Sequence, residues 1–382
     1  MIIRQPLIWA TLLYIIGILL GNVFSSIYFI HASATLLVAG MLLRKHTHIA
    51  DALLLSFWIT LGMARIGMEK EMPSATPYYD SICQKAQEQQ EVMTKRLHDA
   101  GIDQESLSVS SALLLGQKSG LEKDTRKKYA QVGVSHLLAL SGMHLGIIYG
   151  ILYLLFIKRI RYSEWKWFWL PPILLVIWGY AFITGMPISL VRASIMFSIA
   201  TIATLAQNDT PSLHILALSA LAILLFRPSA LFEIGFQLSF IAVFFILALY
   251  QPLKERLGLR NKVAELFLLS VVAQLGTSPL SIYYFHTFPF LGSIVSIVLI
   301  PLTTIIIYMG LIVLLIPNGW LAWLLTIAVK AQERIADFAA SIPHTNITDL
   351  YPTWWQVTLI YMLLLCLIAK SHIQWNREDF NR

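Results

Sequence analysis

Ser135, His136, Ser141 and His144 fall in a run that otherwise stays apolar from Gly133 to Ile157. Hydrocarbon penalises such side chains unless they face a cavity or a partner, so ionisable groups at membrane depth mark functional pathways. The same run carries Ala139, Gly142 and Gly146, whose size lets another backbone come close. Ser141-Gly142 can break or kink a helix, which frees backbone groups that are tolerated only beside protein or water. A broken or re-entrant helix lining a cavity fits these residues. Plain packing, with His and Ser bonding between helices, fits them as well.

Three further constellations are polar within apolar surroundings. The first runs from Thr184-Gly185-Met186-Pro187 to Arg192-Ala193-Ser194. Pro187 suits the first turn of a helix, which places Arg192 inside that helix. A guanidinium there either snorkels or faces water, and it grips phosphate by forked hydrogen bonds. An ion pair with Glu233 is the structural alternative. The second is Glu233, Gln237 and Phe240, spaced to share one helical face with Ser239 close by. The third is Ala273-Gln274-Leu275-Gly276-Thr277-Ser278-Pro279, where an unwound turn before Pro279 is expected. Their recurrence in different spans argues for a polar interior shared by several helices.

Other chemistry finds no support. His46-Thr47-His48 followed by Asp51 lacks the ligands of a dinuclear metal hydrolase, so no metal or cofactor is expected. Neither a phosphate-binding Gly-rich loop ending in Lys-Ser/Thr nor a Gly-x-Ser-x-Gly elbow occurs, so neither ATP nor serine hydrolysis is indicated. Cys83 and Cys366 lie far apart and give no disulfide framework.

The elements that must position these residues are membrane helices. The chain of 382 residues is 57% hydrophobic and 13% charged, against about a quarter charged in soluble domains. Mean hydropathy is +0.69. Apolar runs long enough to cross about 30 Å of hydrocarbon recur along the length. The fold class is all-α: a polytopic helical membrane protein of about 11–12 transmembrane helices with broken or re-entrant segments. The ten-residue alternating segments of a membrane barrel are missing.

Spans are expected at 5–21, 24–43, 50–68, 134–157, 167–184, 188–206, 211–226, 231–250, 263–285, 290–316, 320–341 and 354–370. The first reads as a retained helix rather than a cleaved signal. Segment 320–341 starts apolar and then carries Lys330, Glu333, Arg334 and Asp337, so it is either a broken span or an interfacial helix. The basic residues Arg4, Arg44, Lys45, Lys158, Arg159, Arg161, Lys166, Lys254, Arg256, Arg260, Lys262, Lys370, Arg377 and Arg382 all fall inside if the spans alternate strictly. The net charge of +7 reflects those loops more than any nucleic-acid surface. Both termini are then cytoplasmic, which favours 320–341 as a crossing.

Four parts follow: N-terminal transmembrane helices over 1–68, an outer helical segment over 69–132, a membrane domain over 133–370 and a cytoplasmic tail over 371–382. In the outer segment Ile82, Ala86, Met93, Leu97 and Ala100 share a face, predicting an amphipathic helix on the outer leaflet or packed on the bundle. A second helix is expected over Gln104 to Gly116. The run Lys123-Asp124-Thr125-Arg126-Lys127-Lys128 reads as a solvated loop rather than a DNA clamp.

One family matches this order of residues. Ala112-Leu113-Leu114-Leu115-Gly116 is followed by Tyr129, Gly133, Ser135-His136-Leu137-Leu138-Ala139, Ser141-Gly142 and His144. Thr184-Gly185, Ser189 and Val191-Arg192-Ala193 come next, then Phe236-Gln237-Leu238-Ser239-Phe240. Ala273-Gln274-Leu275, Pro279-Leu280 and Ile300-Pro301-Leu302 complete the string. The chain thereby resembles the competence-type DNA-uptake channel family (ComEC), specifically over about 110–320.

The resemblance implies an inner-membrane channel that passes one strand of transforming DNA into the cytoplasm. His136, Ser141, Gly142, His144, Arg192, Glu233, Gln237, Ser239 and Gln274 would line its path, with no catalytic residue. Partners would be single-stranded DNA, the bilayer, a DNA receptor, a cytoplasmic helicase or motor, and a separate nuclease. Many members carry an OB-like outer domain and a metallo-β-lactamase-like domain; residues 69–132 read instead as helices, and the chain stops at Arg382. DNA engagement and strand degradation are therefore expected of other proteins. A transporter of a small anionic solute or lipid-linked intermediate, and a scaffold subunit, remain open on the residues alone.

Overall fold

The computed structural model describes residues 6–24, 29–42, 47–71, 77–117, 120–138, 140–207, 211–342 and 346–380. His46, Ala139 and the basic residues Arg4, Arg44, Lys45 and Arg382 lie outside them. In chain order the helices are α1 (Pro6–Val23), α2 (Phe29–Leu42), α3 (Thr47–Glu71), α4 (Pro77–Asp99), α5 (Gln104–Leu115), α6 (Lys123–Gln131), α7 (Ser135–Leu138), α8 (Gly142–Leu152) and α9 (Lys158–Ile160). They continue as α10 (Leu170–Ile183), α11 (Ile188–Leu205), α12 (Ser212–Phe226), α13 (Ile234–Phe245), α14 (Gln251–Arg256), α15 (Lys262–Phe285), α16 (Gly292–Leu315), α17 (Gly319–Ser341) and α18 (Trp354–Phe380). Wider π-helical turns follow α8 at Tyr153–Ile157 and α13 at Ile246–Tyr250.

The all-α membrane architecture expected from composition is present. Among the described residues eight helices are long and apolar enough to cross a bilayer, and Phe29–Met41, Ser212–Phe226 and Trp354–Ala369 are shorter apolar helices. The run expected as 134–157 is broken between α7 and α8, as Ser141-Gly142 suggested.

Two compact units are formed. One comprises residues 1–81 and 198–240. Here α1 and α3 meet backbone to backbone: a Cβ on Gly17 would stand 2.1 Å from the Ile59 carbonyl oxygen, and one on Gly62 would stand 2.4 Å from that of Tyr14. Such close approach between apolar helices is the use of small residues in membranes. Thr11 Oγ1 and Tyr14 Oη donate to the carbonyls of Ala217 and Leu224 on α12.

The other unit comprises 82–197 and 241–382. Its core joins Leu97, Leu113, Leu114, Val132, Leu137, Leu299, Ile306, Leu325 and Val329. The 320–341 segment is one unbroken helix. Its buried residues Ala322, Leu325, Val329, Gln332, Ala336 and Ala339 recur every three or four positions, which is one helical face. That face packs on α16, α5 and α6. Lys330 pairs with Asp103, and Asp337 with Lys128, so two of its charges are answered from outside the helix. The Asp337 and Asp124 carboxylates hold the Lys128 ammonium above the ordinary lysine range.

Two expectations are corrected here. Lys123–Lys128 is not a loop but the greater part of α6. The expected unwinding before Pro279 does not occur: α15 runs through it. Hydroxyls bond the backbone around the proline: Thr277 Oγ1 donates to Ala273 O, Ser278 Oγ to Gln274 O and Tyr361 Oη to Gly276 O. Neighbouring hydroxyls that re-satisfy backbone groups let a membrane helix carry proline. The amphipathic helix expected within 69–132 exists as α4, with Ala86 and Leu97 fully buried. Gly116 ends α5 at φ +76, the left-handed cap expected of glycine there.

Candidate functional site

The broken segment begins at Gly133, whose φ is +83. Val134 N–H donates back to Tyr129 O, and α7 starts at Ser135. Residue Ser141 then caps α8. Its Oγ accepts from Met143 N–H at 3.2 Å, while its own N–H donates to His144 Nδ1 at 3.3 Å. This is a capping box with histidine at the third helical position, so Ser141 and His144 satisfy groups that the break leaves open.

Two other breaks meet this one. Ser189 Oγ, at the start of α11, donates to Leu140 O at 2.6 Å. The connection between α10 and α11 turns through Gly185 (φ +82) and Met186 (φ +54). The end of α5 leaves carbonyls without helical partners. Tyr180 Oη takes that of Leu114 at 3.0 Å, and Gln90 Nε2 takes those of Leu115 at 2.6 Å and Thr184 at 3.4 Å. Three chain breaks are thus sewn together by side chains from α4, α10 and α11.

Beyond the break, α8 and α11 run against each other. A Cβ on Gly142 would meet Ala193 at 3.4 Å and one on Gly146 would meet Phe197 at 3.5 Å. Tyr149 stacks on Phe197 with ring centroids 4.4 Å apart. Arg192, the residue before Ala193 on α11, is 6% exposed; His144 is 0% exposed. His136 is exposed by surface area and lies within electrostatic reach of His144. Among the described residues His144 Nε2 has no hydrogen-bond partner.

Gln274 is committed to structure. Its Nε2 donates to Pro289 O at 2.9 Å and its Oε1 accepts from Ser293 Oγ. That turn carries β1 (Phe288–Pro289), which pairs antiparallel with β2 (Asn346–Ile347). Gly133 sits on the same turn: a Cβ there would lie 2.3 Å from Pro289 Cβ. His136, Ser141, Gly142 and His144 are therefore brought together, with Gln274 joined to them through the Pro289 turn and Arg192 one residue before the Ala193 that meets Gly142.

Glu233, Gln237 and Ser239 belong to the other unit. The expected helical face begins one residue late: Glu233 has extended backbone and precedes α13, its carbonyl accepting from Gln237 N–H. Its carboxylate pairs with Arg227 at 2.7 Å. Gln237 Nε2 turns back to Leu231 O at 3.0 Å, and Ser239 is half-buried.

Sequence reasoning passed over Arg65 and Glu69. Arg65 donates to the carbonyls of Leu225 and Phe226 at the end of α12, and Glu69 accepts from Ser229 N–H and Oγ. Two charges one turn apart at the edge of an apolar span were the available signal. Gln90 and Tyr180 gave none, because a glutamine on a polar face and a tyrosine in a span are ordinary.

A helical bundle with eight helices long and apolar enough to cross a bilayer, whose chain breaks are joined by Gln90, Tyr180 and Ser189, defines a class: a multi-pass membrane protein with broken helices. A model of the competence protein family matches residues 113–373; the chain belongs to that family. It is similar to ComE operon protein 3 of Bacillus subtilis (strain 168), at 33% identity over 213 residues, which is 54% of this chain and 26% of that protein. The aligned part thus spans about a quarter of that relative. No solved structure matches.

Proposed function

We propose that this protein is an inner-membrane channel that admits single-stranded transforming DNA to the cytoplasm during natural competence. Family membership supports the role in DNA uptake. One observation carries the channel reading: the α7–α8 break holds His136 and the buried His144 within electrostatic reach of each other inside a predicted span, beside the packing of α8 on α11. Single strands need cationic contacts and tolerant stacking surfaces. Arg192 would grip phosphate, and His136 would supply hydrogen bonds at the mouth. At 6% exposure Arg192 meets a strand only when the seam opens, so conduction is gated at this break. Both termini are cytoplasmic in this reading. A receptor delivers the strand, a cytoplasmic motor drives it and a separate nuclease removes its complement.

Arg192→Ala is expected to abolish entry of labelled donor DNA in cells lacking the chromosomal copy, with the variant present in the membrane at wild-type level. Normal entry through a stable Arg192→Ala protein would remove Arg192 from the path. The burial of Arg192 and His144 also suits a closed midplane site for a small anionic solute or lipid-linked intermediate. Cells lacking the protein and any second homologue decide between the two, since unimpaired DNA entry would leave only the solute reading.

A further inference from the structure

We propose that residues 158–169 form a binding surface for the headgroups of anionic phospholipids. This connection joins two candidate spans, Gly142–Ile160 and Lys166–Ile183, and therefore lies at a membrane boundary. It is held in short irregular turns, α9 followed by a 3-10 turn at Lys166–Trp169. Its aromatic side chains point outward: Tyr162 is 69% exposed, Trp165 71% and Phe168 70%, with Trp167 and Trp169 also exposed. So much ring surface left in water is unfavourable in proportion to its area. At the headgroup level the same amphipathic rings are at home.

The charge complements that location. Lys158, Arg159, Arg161 and Lys166 stand against a single carboxylate, Glu164. The Arg161 guanidinium lies 4.5 Å over the Tyr162 ring and donates to its hydroxyl. It shapes the connection, while Lys158, Arg159 and Lys166 form no ion pair among the described residues. A cation near an anionic membrane surface contributes about 1 kcal/mol, or roughly fivefold in affinity. Three such cations give a preference on the order of a hundredfold over a zwitterionic lipid of the same chain length. Rings that seat in the headgroup layer and cations that meet phosphate describe one ligand chemistry, and the boundary position favours a lipid over a soluble polyanion. The proposal does not depend on the cargo.

Native mass spectrometry of the full chain in mild detergent tests it, with dioleoylphosphatidylglycerol and dioleoylphosphatidylcholine added in equal amounts. Wild type should retain phosphatidylglycerol preferentially, and the triple variant Lys158→Gln, Arg159→Gln, Lys166→Gln should lose most of that preference while binding phosphatidylcholine as before. Equal preference in the two proteins overturns the proposal. Should the triple variant not fold, wild type in high salt replaces it: the preference must then fall, because salt screens exposed cations, and an unchanged preference is again fatal. Displacement of phosphatidylglycerol by a twenty-nucleotide oligothymidylate would assign the surface to nucleic acid and likewise overturn the lipid reading.

Discussion

Gly133 and Gly258 both run with positive φ, +83 and +62, but only Gly133 is hemmed in: Pro289 Cβ would stand 2.3 Å from its Cβ, whereas nothing lies within 4 Å of that on Gly258. Gly258→Ala should therefore cost only the left-handed backbone, about 1–2 kcal/mol. Gly133→Ala must in addition push back the Pro289 turn, and its unfolding midpoint in detergent should fall clearly below that of Gly258→Ala. Equal midpoints would mean that the Pro289 contact is slack. At His144 the logic is one of proton placement. Because Nδ1 accepts from Ser141 N–H, the neutral ring carries its proton on Nε2. A second proton on Nδ1 would undo the cap of α8.

At the scale of elements, Gln332 ties three helices. It is 0% exposed; its Oε1 accepts from Thr303 Oγ1 on α16 and its Nε2 reaches Tyr129 Oη on α6. Gln332→Leu strands the Thr303 hydroxyl and should cost about 1–3 kcal/mol. Adding Thr303→Val removes the stranded group, so the double variant should be more stable than Gln332→Leu alone, as read by thermal unfolding. A double variant worse than the sum of the singles would deny the pairing. Element positions were largely legible in the sequence because apolar length dictates spans: 188–206 is α11 within a residue at its far end, and 290–316 is α16 within two. Less legible was where polar groups inside those spans find partners. Pro279 reads as a break, yet α15 runs through it with Thr277, Ser278 and Tyr361 hydroxyls bonded to the backbone around it. Glu233 reads as a lining residue or a partner of Arg192, yet Arg227 takes its carboxylate. Those outcomes depend on residues far off in the chain, which no local spacing encodes. Ser141-Gly142, whose break is satisfied by its own neighbours at Met143 and His144, was readable for that reason.

For the whole molecule, the parity of crossings decides on which side the chain ends. Eight long apolar helices and three shorter ones make an odd number of candidates among the described residues, and α17 makes it even. Reporter fusions at the two ends should therefore both fall on the cytoplasmic side; opposite sides would mean that α17 lies along the surface instead of crossing. The ribbon of β1 and β2 has a consequence of another kind. It clasps Phe288–Pro289 to Asn346–Ile347, reinforced where Leu350 N–H donates to His286 O, and the clasp rests on Gly133. A ribosome has made the mouth of the break long before it makes the strand that fastens it. The helix pair between the strands must be made first, and the fastening comes last. During synthesis, then, the Pro289 turn beside Gly133 stays unfastened until β2 has been made, so this part of the fold is completed late.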